Sequence, residues 1–389
     1  GKKEVDLLVV SSGVSSLYVQ EAIYSLKSKH IRHLNIVVTN PLPRKNISKI
    51  LEKTNRVLFV EETDPFLEDE VRALSVDLKK LPKFYGKRTG HIPSYGEMNT
   101  DIVMKALTQL DGIKTDPAST MRVTGKDLLV KRPLTFCAGC THRNFYWAIR
   151  KVKKRLGGKL VVAGDIGCYS LGVFYDEAMN TMQSMGSGIG VASGLGQLER
   201  FGFESKVVSV AGDSTFFHAC LPGLINARHK NANLTFVILD NATTAMTGFQ
   251  THPGSHYQEQ NLRRVKIEDL VKAVQPDIYA TGDGTDIREL INLLYSTIMK
   301  DGLKVLLLDS ICRLDEDRKD STLTNINFKI DTNLCRGMNC RICFADFGCP
   351  AISWDDTRSQ PVILDAMCIG CGACVDVCPH DAIKEERVS

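Results

Sequence analysis

The sequence has no apolar stretch of about 18 residues, the length that a bilayer-spanning helix needs, so it does not read as a membrane protein. Its start, GKKEVDLLVVSSGVSS, lacks a signal-peptide core, because the one apolar run there is too short and has the pattern of a strand. An excess of one charge sign is also missing: 49 Lys and Arg against 45 Asp and Glu leave +4, with no long basic run. That balance gives no support to nucleic-acid binding as the main task. Aromatic residues are sparse, at 7%, and the 30 Gly and 13 Pro form no repeat or low-complexity tract. With 43% apolar and 24% charged residues, the 389 residues describe a soluble, cytoplasmic globular chain with room for two or three domains.

Cysteine, in contrast, is plentiful. There are 13, and those at 335, 340, 343, 349, 368, 371, 374 and 378 crowd the end of the chain. A large chain without an export signal does not use such clustering for disulfides, so the pattern points to metal.

Residues 4–80 alternate short apolar runs with helical patterns. VDLLVV (5–10), LNIVVT (34–39) and RVLFVEE (56–62) read as strands, with helices over SSLYVQEAIYSLKSK and around 46–54. This βαβαβ order implies a parallel sheet. It shows no phosphate loop or catalytic constellation, which suits a docking or scaffold role. Residues 81–133 are richer in Pro, Gly and polar residues and read as a linker with one short helix. From 134 the alternation returns, with KLVVAG, KVVSVAG, LTFVILD and KVLLLDS as strands. The glycines of MGSGIGVASGLG fall in a helical pattern, do not follow a strand, and are not a dinucleotide fingerprint. From about 320 the composition turns Cys-rich. The fold class expected is α/β: two parallel-sheet domains, 1–80 and 134–318, followed by a small α+β ferredoxin-like domain at 319–389.

Cys368-x2-Cys371-x2-Cys374-x3-Cys378-Pro379 has the spacing of a 4Fe–4S ligand run, whose fourth cysteine serves the other cluster in two-cluster ferredoxins. An irregular second set, Cys335-x4-Cys340-x2-Cys343-x5-Cys349-Pro350, keeps the x2 pair and the Cys-Pro end. Cys335, Cys340, Cys343 and Cys378 are therefore expected on one cluster, and Cys349, Cys368, Cys371 and Cys374 on the other. Structural zinc, which favours two CxxC pairs separated by a longer loop, and reduced core thiols are the alternatives. Upstream, Gly212-Asp213-Ser214 ends one strand and Asp240-Asn241 another. Oxygen donors at two strand ends can share a hard cation, and a helix start beside them can face a phosphate. Ordinary polar turns would look the same on spacing alone.

The flanks of these residues carry more. CAGCTHR (137–143), GDIGCYSLG (164–172), GDSTFFHACLPGLINA (212–227) and LDNATTAMTGFQ (239–250) resemble the thiamine-diphosphate domain of 2-oxoacid:ferredoxin oxidoreductases. The likeness is strongest to the large subunits of indolepyruvate ferredoxin oxidoreductases, which also end in a two-cluster ferredoxin domain. Residues 1–80 are similar to the transketolase C-terminal-like domain that precedes the thiamine-binding domain in that family. The resemblance implies that Asp213, Asn241 and the Thr243 carbonyl hold Mg2+, and that Gly212 and Ser214 approach the diphosphate of thiamine diphosphate. It further implies that loop 244–250 lies over the cofactor, with His142 near it. Cys137, Cys140, Cys168 and Cys312 match the positions of a third 4Fe–4S cluster, while Cys220 is left as plain core.

The activity so implied is oxidative decarboxylation of an aryl 2-oxoacid to an acyl-CoA and CO2, with electrons passing through the clusters to ferredoxin. A pyruvate, branched-chain or phenylglyoxylate enzyme, or a non-catalytic electron-transfer subunit, are the alternatives. In the family a pyrimidine-binding domain with an activating glutamate precedes the region matching residues 1–80. The chain starts at Gly1, and no acidic residue in it clearly replaces that glutamate. The expectation is that another segment or chain supplies this domain, together with a small (beta) subunit, and that this chain alone turns over little or no substrate.

Overall fold

The computed structural model describes residues 4–112, 134–256, 261–319 and 326–387. Two compact units divide between Val130 and Lys131. None of the described helices is long and apolar enough to cross a membrane.

In the first unit, β1 (Val5–Ser11), α1 (Ser15–Ser25), β2 (Ile31–Asn35), α2 (Arg44–Leu51), β3 (Thr54–Val60), α3 (Phe66–Leu74), β4 (Lys83–Tyr85) and α4 (Thr100–Asp111) follow one another. All pairings are parallel, in the order β2-β1-β3-β4. Successive strand residues point to opposite faces, so an unbroken apolar run serves a sheet covered on both sides. Leu7, Val9, Leu58 and Val60 pack beneath α1 and α4. Leu8, Val10, Val57 and Phe59 pack beneath α2 and α3.

Two expectations shift. The second strand is 31–35 rather than 34–39, because its register with β1 ends at the pair Ser11–Asn35. Beyond it Val37 and Val38 have no strand to pair with and are 84% and 60% exposed. Residues 83–111, read from composition as linker, supply β4 and the 12-residue α4. Val103, Ala106 and Leu107 of α4 recur at helical spacing and enter the same core as Leu7 and Val9. The remainder of that stretch, 113–133, lies outside the described residues.

The second unit runs through α5 (Thr141–Arg155), β5 (Leu160–Gly164), β6 (Thr181–Met182), α6 (Ser187–Leu195) and β7 (Lys206–Gly212). A helical stretch of α7 (Asp213–Thr215), a π-turn at Phe216–Cys220 and α8 (Leu221–His229) then leads to β8 (Leu234–Asp240). The sheet is completed by α9 (Ile267–Val274), β9 (Ile278–Asp283), α10 (Ile287–Ile298) and β10 (Leu303–Asp309), with α11 (Arg313–Lys319) after it. Six parallel strands lie in the order β6-β5-β7-β8-β10-β9. The four strands expected from sequence are present, and β6 and β9 are added at the edges. The glycine-rich segment is indeed helical, as α6. Gly188 has to lack a side chain, since a Cβ there would stand 3.0 Å from the Gly164 backbone.

The tail pairs β11 (Ile326–Ile330) with β14 (Ile383–Arg387) and β12 (Ile352–Asp355) with β13 (Gln360–Ile363), both antiparallel, around the short α12 (Ala373–Val377). It packs on the sheet domain of the same unit. Trp147 and Ile287 share a buried cluster with Phe347, Ala373 and Val377. Arg150 Nη1 and Tyr175 OH donate to the carbonyls of Asp346 (3.0 Å) and Phe347 (2.9 Å). The α/β class with two parallel sheets and a ferredoxin-like tail is therefore the observed one.

In the first unit α3 has no capping side chain of its own, since its N-cap is Pro65. The buried Glu61 accepts from the amides of Leu67 (2.7 Å) and Glu68 (2.9 Å) instead. Glu61→Ala leaves those donors without a partner and is expected to cost about 2 kcal/mol. A lower denaturant midpoint, with faster hydrogen exchange in α3 and β3, is the measurement that checks it.

Candidate functional site

After β5 the chain moves to β6 on one side of the sheet, then returns to β7 on the other. A parallel sheet opens a crevice at the carboxyl edge of such a reversal, and ligands gather there. The residues that follow the strands at this edge are polar and buried: Asp165 after β5, Asp213 after β7 and Asn241 after β8.

Asp213 is the hub. Its Oδ1 accepts from Ser214 N at 2.8 Å, and its Oδ2 from Asn241 N at 3.1 Å and from His252 Nε2 at 3.0 Å. Gly254 N donates to His252 Nδ1 at 3.1 Å, so Nδ1 is bare and the proton sits on Nε2, facing the carboxylate. Asn241 Oδ1 accepts from Thr243 N at 3.2 Å, across an Ala242 held at φ +64°. Asp240 is pushed up to about 7, first by burial and then by the neighbouring Asp213 and Asp309 carboxylates. A carboxylate, an amide and backbone carbonyls crowded in this way make a hard-oxygen donor set suited to a divalent cation. The Ser214 amide, expected to face a diphosphate, is engaged by Asp213. Gly212 lies against Tyr169, whose Cε1 a Cβ there would meet at 3.1 Å. Tyr169 in turn donates to Asp165.

The second feature of this edge is sulfur. Cys137, Cys140, Cys168 and Cys312 line a single cavity of about 220 Å³, together with His142 and Asn241. Cys312 N donates to Asn241 O at 3.1 Å, which sets this thiol, just past the end of β10, beside the Asp213–Asn241 donor set. Cys168 is raised to about 11 by burial and then by Cys312 and Cys137. His142 is pushed down to about 4 by burial, with Asp213 opposing, and is neutral at physiological pH. Its Nδ1 lies 3.4 Å from Cys140 Sγ. Loop 244–250 closes on itself through the Thr244–Gln250 bridge, and its Met246 and Phe249 face the thiol cavity. Cys220 is core.

The tail thiols fall into two sets. Burial and then Cys378, Cys335 and Cys340 raise Cys343 to about 11. Burial and then Cys371, Cys349 and Cys368 raise Cys374. These are the groupings expected from the exchanged Cys-Pro ends. Among the described residues no three His, Cys, Asp or Glu are gathered closely enough to hold a single metal ion. Two sets of four neighbouring, partly exposed thiols have the donor chemistry of iron–sulfur ligands, which bind deprotonated.

The CAGC loop of the sheet domain and the CIGC loop of the tail touch. Gly139, at φ +68°, approaches so closely that a Cβ would stand 2.2 Å from Ile369 Cδ1 and 3.3 Å from Cys371 Cβ. Sequence reasoning did not reach this contact, nor His252, which has no spacing signal.

Residues 165–306 match the C-terminal TPP-binding domain of thiamine pyrophosphate enzymes, and residues 361–384 match the 4Fe–4S binding domain. The chain is 32% identical, over 99% of its length, to the indolepyruvate oxidoreductase subunit IorA of Thermococcus kodakarensis. It is 31% identical over 100% to that of Pyrococcus abyssi, and 33% over 99% to that of Methanothermobacter thermautotrophicus. It covers 61% of each of these proteins, so it spans about three-fifths of the curated relatives' length.

Gly139→Ala adds both a disfavoured φ and a clash, and is expected to loosen the tail by about 1–3 kcal/mol. Ile369→Ala in the same chain should restore the steric share but not the backbone share. A double-mutant cycle on tail unfolding separates the two.

Proposed function

We propose that the chain belongs with the IorA subunits it resembles, as the thiamine- and cluster-bearing part of a 2-oxoacid:ferredoxin oxidoreductase. The observation that carries this reading is the joining of two chemistries at one sheet edge: the Asp213–Asn241 donor set stands beside the four-thiol cavity, whose loop rests on the tail. A plain docking domain has no need of that arrangement.

In this reading Asp213, Asn241 and the Thr243 carbonyl hold Mg2+, and Gly212 and Ser214 border the diphosphate. Bound thiamine diphosphate supplies the nucleophilic carbon and the electron sink for 2-oxoacid decarboxylation. His252 keeps Asp213 in place by donating to it. The neutral His142 presents an uncharged face between the cation site and Cys140. Cys137, Cys140, Cys168 and Cys312 hold one 4Fe–4S cluster, with the two tail sets beyond it, so that single electrons have a line of acceptors toward ferredoxin. Coenzyme A takes the acyl group, and a pyrimidine-domain segment or chain and a small subunit complete the enzyme. The name of the relatives favours an aryl 2-oxoacid such as indolepyruvate. Faster oxidation of indolepyruvate than of pyruvate or 2-oxoglutarate by the assembled enzyme tests that choice.

Iron and acid-labile sulfide counted on protein purified without oxygen test the redox half. About twelve irons per chain support three clusters, and about eight leave the sheet-edge cysteines as thiols. Titration with thiamine diphosphate and Mg2+ tests the other half. Asp213→Ala is expected to abolish saturable binding, and His252→Ala to weaken it on the order of 10–100-fold, as for loss of a group that orients a metal ligand. A chain that carries iron but never binds thiamine diphosphate would instead be an electron-transfer subunit.

A further inference from the structure

Arg143 is a deeply buried charge of the second unit. It is 1% exposed, in the first turn of α5, where the amide dipoles already present positive charge. An arginine stays protonated when buried, and an isolated buried cation is strongly destabilising unless an anion or a set of acceptors meets it. Yet among the described residues it forms no ion pair, although other arginines of this unit do. One guanidinium nitrogen donates to the Phe136 carbonyl, and Cζ lies 5.5 Å from the centre of the Phe347 ring. Its Nε is buried without an acceptor. Five cysteines share its surroundings with apolar side chains. Arg143 lines the narrow gap of about 20 Å³ between Cys140, on the CAGC loop, and Cys349, Cys368, Cys371 and Cys374 of the tail.

We propose that Arg143 is the built-in counter-charge of the cluster held by Cys349, Cys368, Cys371 and Cys374, and that it raises that cluster's reduction potential. This rests on the reading above that the tail holds clusters. A cluster with four thiolate ligands is anionic, and more so once reduced. A buried cation beside it therefore favours the reduced form, because net charge and hydrogen bonds to sulfur are among the factors that set such potentials. The position matters as much as the charge. The gap is where the sheet domain meets the tail, so the cluster that gains is the first tail acceptor for electrons leaving the thiamine side. The orphaned Nε supplies a donor for a ligand sulfur, which makes Arg143 a positioning residue rather than a catalytic one.

The test is a redox titration followed by electron paramagnetic resonance on the iron-loaded chain, comparing wild type with Arg143→Lys and Arg143→Met. In Arg143→Met the midpoint of the Cys349, Cys368, Cys371 and Cys374 cluster is expected to move negative by at least a tenfold change in the oxidised-to-reduced ratio, about 59 mV for one electron, while that of the Cys335, Cys340, Cys343 and Cys378 cluster holds. Arg143→Lys should keep most of the wild-type value. If Arg143→Met fails to retain the tail cluster, retention in Arg143→Lys still supports the counter-charge, and equal loss in both overturns it, since shape and not charge would then be at stake. Unmoved midpoints in a fully loaded Arg143→Met also overturn it. A wild-type chain that takes up no iron sinks the underlying functional reading instead, so the two failures are distinguishable.

Discussion

The hydrogen bonds at Asp213 hold together almost everything that the second unit offers as chemistry. Its carboxylate ties the end of β7 to the end of β8 through the Asn241 amide, and His252 closes over it from a later loop. Asn241 in turn accepts from Cys312 through its carbonyl, which fixes the end of β10. Without that chain of bonds, three strand ends would carry polar and thiol groups into a buried crevice with nothing to set their spacing. The apolar strands supply the rigidity, and the carboxylate converts it into a defined edge. A buried carboxylate is costly on its own, so the three donors that meet it are a condition of its being there.

How much of this could be read in the residues follows from which interactions are local. The main strands of the second sheet are continuous apolar runs, which only a strand buried on both faces can use, and the tail cysteines announce themselves by thiol spacing. The exchange of Cys349 and Cys378 between the two tail groupings was also legible, because each closes its own run with Pro. The β9 strand was not: IYATGD is half-buried at the sheet edge and lacks an apolar signature. The short helix expected within 81–133 is α4, but its part in the core of the first unit was hidden by the Pro- and Gly-rich stretch before it, and the second strand was misplaced because Val37 and Val38 are apolar yet lie past the end of their partner. His252 and the Gly139–Ile369 contact are long-range pairings, set by tertiary packing, that no local pattern encodes.

Glycine at 139 and arginine at 143 solve opposite sides of one problem. In the proposed oxidoreductase electron transfer needs acceptors brought close, and the loop between Cys137 and Cys140 approaches the tail at Gly139, which carries no side chain and tolerates a positive φ. Bringing two thiolate-rich loops together concentrates negative charge in a dry gap, where each added electron would repel the next. A neutral residue at 143 would leave that repulsion uncompensated. A surface lysine would be screened by water and contribute little. A guanidinium locked by Phe136 and Phe347, within the gap itself, acts at full strength and cannot lose its proton. The same burial that makes Arg143 expensive in a metal-free chain makes it effective beside a filled cluster. Its stability is thus linked to that of the cofactor: the unit should be least stable without iron, and the gain on loading should be largest around α5 and the CIGC loop.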